Sequence, residues 1–205
     1  MNADSLIEER PRKLTRAEKN ERTRAALLEA AAQVVGAVGY ANASIAAITV
    51  EAGVAQGTFY NYFESREDLF DRLLPYLGER MLDYIGERTR DLSDGGEREE
   101  AGLRAFFSFL VERPEFYRVL YEAETFAPSA FRAHTDNVAR GFVRVLKRGA
   151  ERKFTPRQLE AISFMLMGAR HYLAMRYARG DEGSRQVPDW VIKTYMHMLR
   201  GGLGL

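Results

Sequence analysis

The chain has 205 residues, 46% of them hydrophobic and 29% charged, which is ordinary globular composition with enough apolar material for a sizeable core. With 30 Lys+Arg against 29 Asp+Glu the net charge is only +1, so a surface coated in positive charge is excluded and any nucleic-acid contact must come from a local patch. Cysteine is absent, which excludes disulfide scaffolds, thiolate metal sites and cysteine nucleophiles and fits a reducing cytoplasm. No apolar run approaches the ~18 residues of a membrane span, and MNADSLIEERPRKLTR lacks the apolar segment of a secretory signal, so a cytoplasmic chain without a membrane partner is expected.

Helical periodicity dominates and no segment alternates like a strand, so the fold is expected to be all-α. Thr15-Arg16-Ala17-Glu18 reads as a capping box opening a helix over Arg16–Val38, with Leu28, Ala31, Ala32 and Val35 on one face and Gly39 as its left-handed stop. Ser44 caps a second helix from Ile45 to about Ala52. Gly53 allows a sharp turn, and a short third helix follows from Gln56 to about Tyr62. Ser65-Arg66-Glu67-Asp68 is another capping box opening a fourth helix, in which Pro75 predicts a kink or break. Leu92-Ser93-Asp94-Gly95-Gly96 reads as a loop. Beyond it, helices are expected at about 97–112, 114–125, 128–150, 156–179 and 188–200, with Pro114, Pro128, Pro156 and Pro188 in first turns and Thr155-Pro156-Arg157-Gln158 as the best-formed start.

Charge is uneven along this order. Arg10, Arg12, Lys13, Arg16, Lys19, Arg22 and Arg24 against Glu18 and Glu21 give +5 over residues 10–24, whereas residues 25–75 carry −4. The basic charge therefore sits at the front edge of the first third.

Two short helices joined by a glycine turn make a helix-turn-helix candidate, whose second helix would lie in a DNA major groove. Ile45, Ile48, Val54 and Phe59 can pack inward, leaving Gln56, Thr58, Tyr60, Asn61 and Tyr62 to face out. Gln and Asn can pair twice with adenine, Thr58 can touch a thymine methyl or a phosphate, and Tyr hydroxyls bond phosphate oxygens. Gly57 lets the backbone approach closely. Arg66 can add a phosphate contact at the start of the fourth helix. Shape alone is a weak signal, since many helical bundles contain a glycine corner.

The run Gly39-Tyr40, Ser44-Ile45-Ala46-Ala47-Ile48, then Ala52 through Leu69 without a gap, resembles the DNA-binding domain of TetR-family transcriptional regulators over about residues 25–73. The resemblance implies that Gln56, Thr58, Tyr60 and Asn61 face the groove, with Tyr62 where the family often has His. Arg66 stands where a Lys usually holds a phosphate, and Ser44 where a Thr caps the second helix and touches phosphate. Ala55 departs from the pattern, which often has Ser there as the third helix's N-cap; that loss should cost about 0.5–2 kcal/mol locally. The basic stretch Arg10–Arg24 resembles arms that some members lay along DNA, and a solvated tail explains it equally well.

The resemblance further implies residues 1–70 as the DNA-binding domain and 71–205 as a helical domain that dimerises and binds a small molecule. The helix at 156–179 is apolar nearly all round, as is the last helix, so each is expected to be buried on two sides. In the family the last two helices pair with their copies; Phe164, Met167, Gly168, His171, Met175, Trp190, Tyr195 and Met198 are the expected homodimer contacts, with burial inside one protomer as the alternative. For an effector pocket, aromatic-rich helices with scattered polar groups point to Phe109, Tyr117, Tyr121, Glu124, His134, Arg170 and His171. A buried Arg170 needs an anion, either Glu124 or a carboxylate, acyl-phosphate or thioester-carrier head group.

The three histidines, His134, His171 and His197, form no metal spacing, and there is neither a Gly-rich phosphate loop nor a nucleophile elbow, so no catalytic residue, metal or cofactor is expected. The expected function is a homodimeric regulator, foremost a repressor, that leaves a near-palindromic double-stranded operator when a small apolar effector binds. The alternative is a helical ligand-binding protein or enzyme whose helix-turn-helix is only a corner.

Overall fold

A computed structural model describes residues 15–149, 154–178 and 187–204. Among these the chain forms nine α-helices and no strand. The basic stretch before Thr15 lies outside the described residues, while Arg16, Lys19 and Arg22 are exposed on the first helix.

Helix α1 spans Arg16–Val38. Its capping box is closed by the Glu18 amide donating to Thr15 Oγ1 at 3.2 Å and the Thr15 amide donating to Glu18 Oε2 at 2.7 Å. Gly39, at φ +81°, takes the chain out of the helix through backbone space that L side chains rarely enter. Helix α2 is Ile45–Glu51, capped by Ser44 accepting from the Ala47 amide at 3.1 Å. Gly53, at φ +66°, turns the chain into α3, Gln56–Phe59. This helix is shorter than expected: Tyr60, Asn61 and Tyr62 lie in a turn, held by the amides of Asn61 on Thr58 and of Tyr62 on Phe59. No side chain caps α3 at Ala55, and a four-residue helix without a cap has little to extend it.

Helix α4 runs unbroken over Arg66–Thr89 with Pro75 inside it. Of the kink or break expected at Pro75, the break does not occur, because buried Leu73, Leu74 and Leu77 hold both sides of the proline against the core and the ring forfeits a single intrahelical bond. Helix α5 is Gly95–Glu112, so Gly95 and Gly96 open a helix and do not extend the loop; Asp94 supplies the cap through a 2.8 Å bond from the Glu97 amide. Helices α6 (Pro114–Phe126), α7 (Pro128–Gly149) and α8 (Pro156–Leu173) begin at prolines, and α8 passes into a π-helical turn, Ala174–Ala178, a form often found beside functional sites. Helix α9 is Asp189–Leu203.

One continuous core joins these helices, from Leu27, Ala31 and Ile48 through Leu73 and Leu77 to Phe116, Leu166 and Leu199. The front of the chain is tied to the rest by α6. Gly36 lets α1 approach so closely that an added Cβ would lie 2.4 Å from Glu115 Cβ. Arg118 donates to the carbonyls of Gly36 and Ala37 at 3.3 and 2.9 Å, satisfying the open end of α1. Glu122 accepts from the Tyr40 amide at 2.8 Å and from Arg118 at 2.7 Å. Glu29 of α1 receives Arg113 at 2.5 Å, Tyr76 at 2.7 Å and Arg80 at 3.3 Å.

Candidate nucleic-acid interface and ligand cavity

The helix-turn-helix is a small shell around Ile48, Phe59 and Phe63, all buried. The Val54 amide returns to the Thr49 carbonyl at 3.0 Å and fixes the turn. Because α3 has one buried residue, the rest of its turn must face outward: Gln56, Gly57, Tyr60 and Asn61 are exposed, while Thr58 and Tyr62 are half-buried. Tyr60 stands 56% clear of the protein, an exposure that a packing role does not explain. Nothing lies within 4 Å of a Cβ built at Gly57, so the backbone there is open to an incoming molecule.

Ser44 is exposed, with its oxygen used as the α2 cap. Arg66 is half-buried: it pairs with Glu67 at 3.2 Å, reaches the Ala43 carbonyl at 3.5 Å and lies over the Phe70 ring at 5.5 Å. Its head group is therefore held between the start of α4 and the Ala43 carbonyl that precedes α2. Tyr62 donates to Asn20 Oδ1 at 3.4 Å, linking the reader turn to α1.

At the other end, α4 to α8 enclose a cavity of about 900 Å³. Of the expected ligand residues, Tyr117, Tyr121, Glu124, His134, Arg170 and His171 line it; Phe109 does not, being buried edge-on between Tyr84 and Phe116. His171 stacks on Tyr117 at 5.7 Å and on Tyr121 at 6.4 Å, so three expected residues form one aromatic wall. Glu124 is exposed.

The buried Arg170 is neutralised by Glu99 and not by Glu124. Arg170 Nη2 donates to Glu99 Oε1 at 2.6 Å, and the Tyr195 hydroxyl donates to the same oxygen at 2.9 Å. The guanidinium also lies over the Phe142 ring at 4.6 Å. Burial opposes the charge of Arg170, but Glu99 and Tyr195 more than offset this and keep it protonated. Burial raises the Tyr195 hydroxyl well above its ordinary range. Sequence reasoning missed Glu99, although a signal was present: it falls on the inward stripe of α5, three and four residues before Gly102 and Leu103, where a charge needs a buried partner. His134 is 6% exposed, and burial pushes its imidazole down to about 4, so the ring is neutral near neutral pH.

Of the expected dimer contacts, Phe164 (46% exposed), Met175 (41%), Trp190 (58%) and Met198 (61%) stand out from α8, its π turn and α9, together with Met165 and Tyr172. Met167, Gly168 and His171 are half-buried along the cavity. Tyr195 is enclosed within the protomer at 3% exposure, held by Glu99, and presents nothing to a partner.

The helix-turn-helix region matches the sequence model described as "Bacterial regulatory proteins, tetR family" over residues 27–73. Residues 27–73 therefore form a TetR-type DNA-binding region. The whole chain has the fold of TetR-type regulators, as three solved structures illustrate. A fatty acid degradation regulator, FadR, from Bacillus halodurans is 22% identical with a TM-score of 0.75, covering 94% of this chain and 98% of that one. FadR from Bacillus subtilis, solved in complex with stearoyl-CoA, is 17% identical with a TM-score of 0.73, covering 87% and 98%. A TetR-family regulator from Pectobacterium atrosepticum is 22% identical with a TM-score of 0.67, covering 93% and 98%. No described helix of the chain is long and apolar enough to cross a membrane.

Proposed function

We propose that the chain is a cytoplasmic, homodimeric transcriptional repressor that leaves its operator when an apolar small molecule enters the cavity. The observation that carries the reading is the outward set Gln56, Tyr60 and Asn61 on a turn whose inward residue, Phe59, is fully buried, within a TetR-type helix-turn-helix. Gln56 and Asn61 read base edges; Thr58, Tyr60, Tyr62, Arg66 and Ser44 hold phosphates; Gly57 admits the DNA backbone. The DNA-binding unit ends near residue 70 and the regulatory unit takes up 71–205.

The apolar face of Phe164, Met175, Trp190 and Met198 pairs with its copy. The dimer sets two reader turns about one DNA turn apart, roughly 34–36 Å, on a near-palindrome. Tyr117, Tyr121, His134 and His171 contact the effector, with the exposed Glu124 and Arg144 at the rim. Arg98 and Arg144 also line the cavity, whereas Arg170 is already matched by Glu99. The stearoyl-CoA held by the B. subtilis FadR supports an effector with a long apolar chain. Helix α4 runs from the reader to the cavity wall and transmits occupancy. Because coupling is reciprocal, operator and effector must weaken each other's binding by the same factor.

Fragmented genomic DNA from the source organism, passed over the purified protein and sequenced, tests this reading. Enrichment of one near-palindrome with half-sites about one turn apart supports it. No enrichment at low or moderate salt, from protein shown by mass spectrometry to carry no small molecule, overturns it in favour of a helical ligand-binding protein or enzyme.

A further inference from the structure

His134 lines the cavity at 6% exposure, and no hydrogen bond from a described residue reaches its ring. A neutral imidazole carries one N–H donor and one acceptor nitrogen, so the ring can meet a polar group that enters the cavity. Around it are the edge of the Phe116 ring at 6.2 Å and the backbone of α4 at Gly78. The approach to α4 is unusually close: a Cβ at Gly78 would lie 2.3 Å from His134 Nδ1 and 2.6 Å from Cε1. Only glycine leaves room for this ring edge to rest on the helix that runs back to the DNA-binding end.

We propose that His134 receives an uncharged polar group, a hydroxyl or a carbonyl, on an otherwise apolar effector, and that its contact at Gly78 is where occupancy bears on α4. This deepens the effector reading above and rests on it. The polar group is uncharged because the contacts of His134 are to the Phe116 ring and the Gly78 backbone, neither of which carries a charge to balance one. A carboxylate placed there would be buried without a counter-ion. The buried cation among the described cavity-lining side chains, Arg170, is committed to Glu99. Close-packed interiors switch between discrete arrangements and do not yield smoothly, so a ring displaced by a ligand must move α4 or α7.

Four twelve-carbon probes separate the possibilities: dodecanol, 2-dodecanone, dodecane and dodecanoate, each added to the full chain and to His134→Leu. The readouts are melting temperature and retention of DNA selected from the genomic fragments. The alcohol and the ketone are expected to raise the melting temperature of the native chain more than dodecane or dodecanoate, and to lower its DNA affinity roughly tenfold. Both effects should vanish in His134→Leu. Equal shifts from dodecane, or shifts that survive the substitution, overturn the role of His134 alone. A larger shift from dodecanoate that His134→Leu removes overturns the uncharged group. No shift from any probe overturns the cavity reading and this inference with it. Gly78→Ala is the second variant, free of any probe: the added methyl displaces the ring, and DNA affinity is expected to fall roughly tenfold while melting stays cooperative. Unchanged affinity overturns the link to α4.

Discussion

The two ends of this chain place their candidate functional residues by opposite means. At the DNA-binding end, Gln56, Thr58, Tyr60, Asn61 and Tyr62 are near neighbours in sequence, and one buried anchor, Phe59, points them all outward. At the cavity end, Glu99, Arg170 and Tyr195 meet from α5, α8 and α9, separated by 71 and 96 residues from Glu99. A surface reader needs only local spacing, whereas a cavity needs the register of five helices to be right at once. The first should therefore fail through its anchor and the second through its charges.

Substitutions of similar weight break the comparison at each end. Glu99→Ala strands Arg170 as a buried unpaired charge and is expected to cost about 3–5 kcal/mol in urea unfolding. Replacing both partners, Glu99→Leu with Arg170→Met, should recover most of that loss. Phe59→Ala removes the reader's anchor and is expected to cost about 3–5 kcal/mol as well. Below its melting transition the Glu99→Ala chain should still retain DNA and the Phe59→Ala chain should not. Equal retention by both would mean that the two ends are not separately anchored.

The polar junction between the ends should depend on acid. Partial burial works against the charge of Glu122, but hydrogen bonds from Arg118 and the Tyr40 amide more than offset it and hold the carboxyl below its ordinary 4.5. A depressed folded value means that the stabilisation is complete above the unfolded value and fades as pH falls through 4.5 and below. Glu122→Gln should therefore lose about 1.5–3 kcal/mol at pH 7, the worth of hydrogen bonds to a charged group. Native and variant unfolding curves should converge toward pH 3. A gap that stays constant with pH would assign the junction to packing at Gly36 instead.

The same contrast explains what could be read from sequence. The capping boxes at Thr15 and Thr155, and the caps at Ser44 and Ser65, are contiguous patterns, and α1 begins and ends where they and Gly39 predict. The break at Pro75 and the loop at Gly95-Gly96 were local inferences that the fold overrode: buried leucines carry α4 across its proline, and Asp94 starts α5 on two glycines. Glu124 and Glu99 are both acidic residues on helices, and nothing local distinguishes which one meets Arg170; only the register of α5 against α8 does. Tyr195 looked like a partner contact for the same reason, since an apolar helix does not declare which of its faces turns inward.

Within the reader, base contacts and phosphate contacts should separate. Gln56→Ala and Asn61→Ala are expected to relax preference at individual base pairs by about 1–3 kcal/mol each, measured by selection from a randomised operator. Tyr60→Ala should instead weaken binding to every sequence alike. Unchanged selection in both Gln56→Ala and Asn61→Ala would remove them as readers and leave recognition to groove shape.

The smallest effect tests the local logic most directly. Ala55 already has the extended backbone of an N-cap, at φ −67° and ψ 145°, is exposed, and makes no side-chain cap bond to α3. Ala55→Ser would place a hydroxyl where it can accept from the Gly57 or Thr58 amide, with no backbone change required. The gain expected of such a cap is about 1 kcal/mol, or roughly 2–4 °C in melting temperature for a chain of this size. It should come without any change in the response to cavity probes, because α3 touches the reader and not the cavity. A shift of that size confined to the DNA-binding end would show that this helix is short for want of a cap. No shift would mean that Tyr60–Tyr62 are held in their turn by packing around Phe59 and Phe63, which the hydroxyl does not alter.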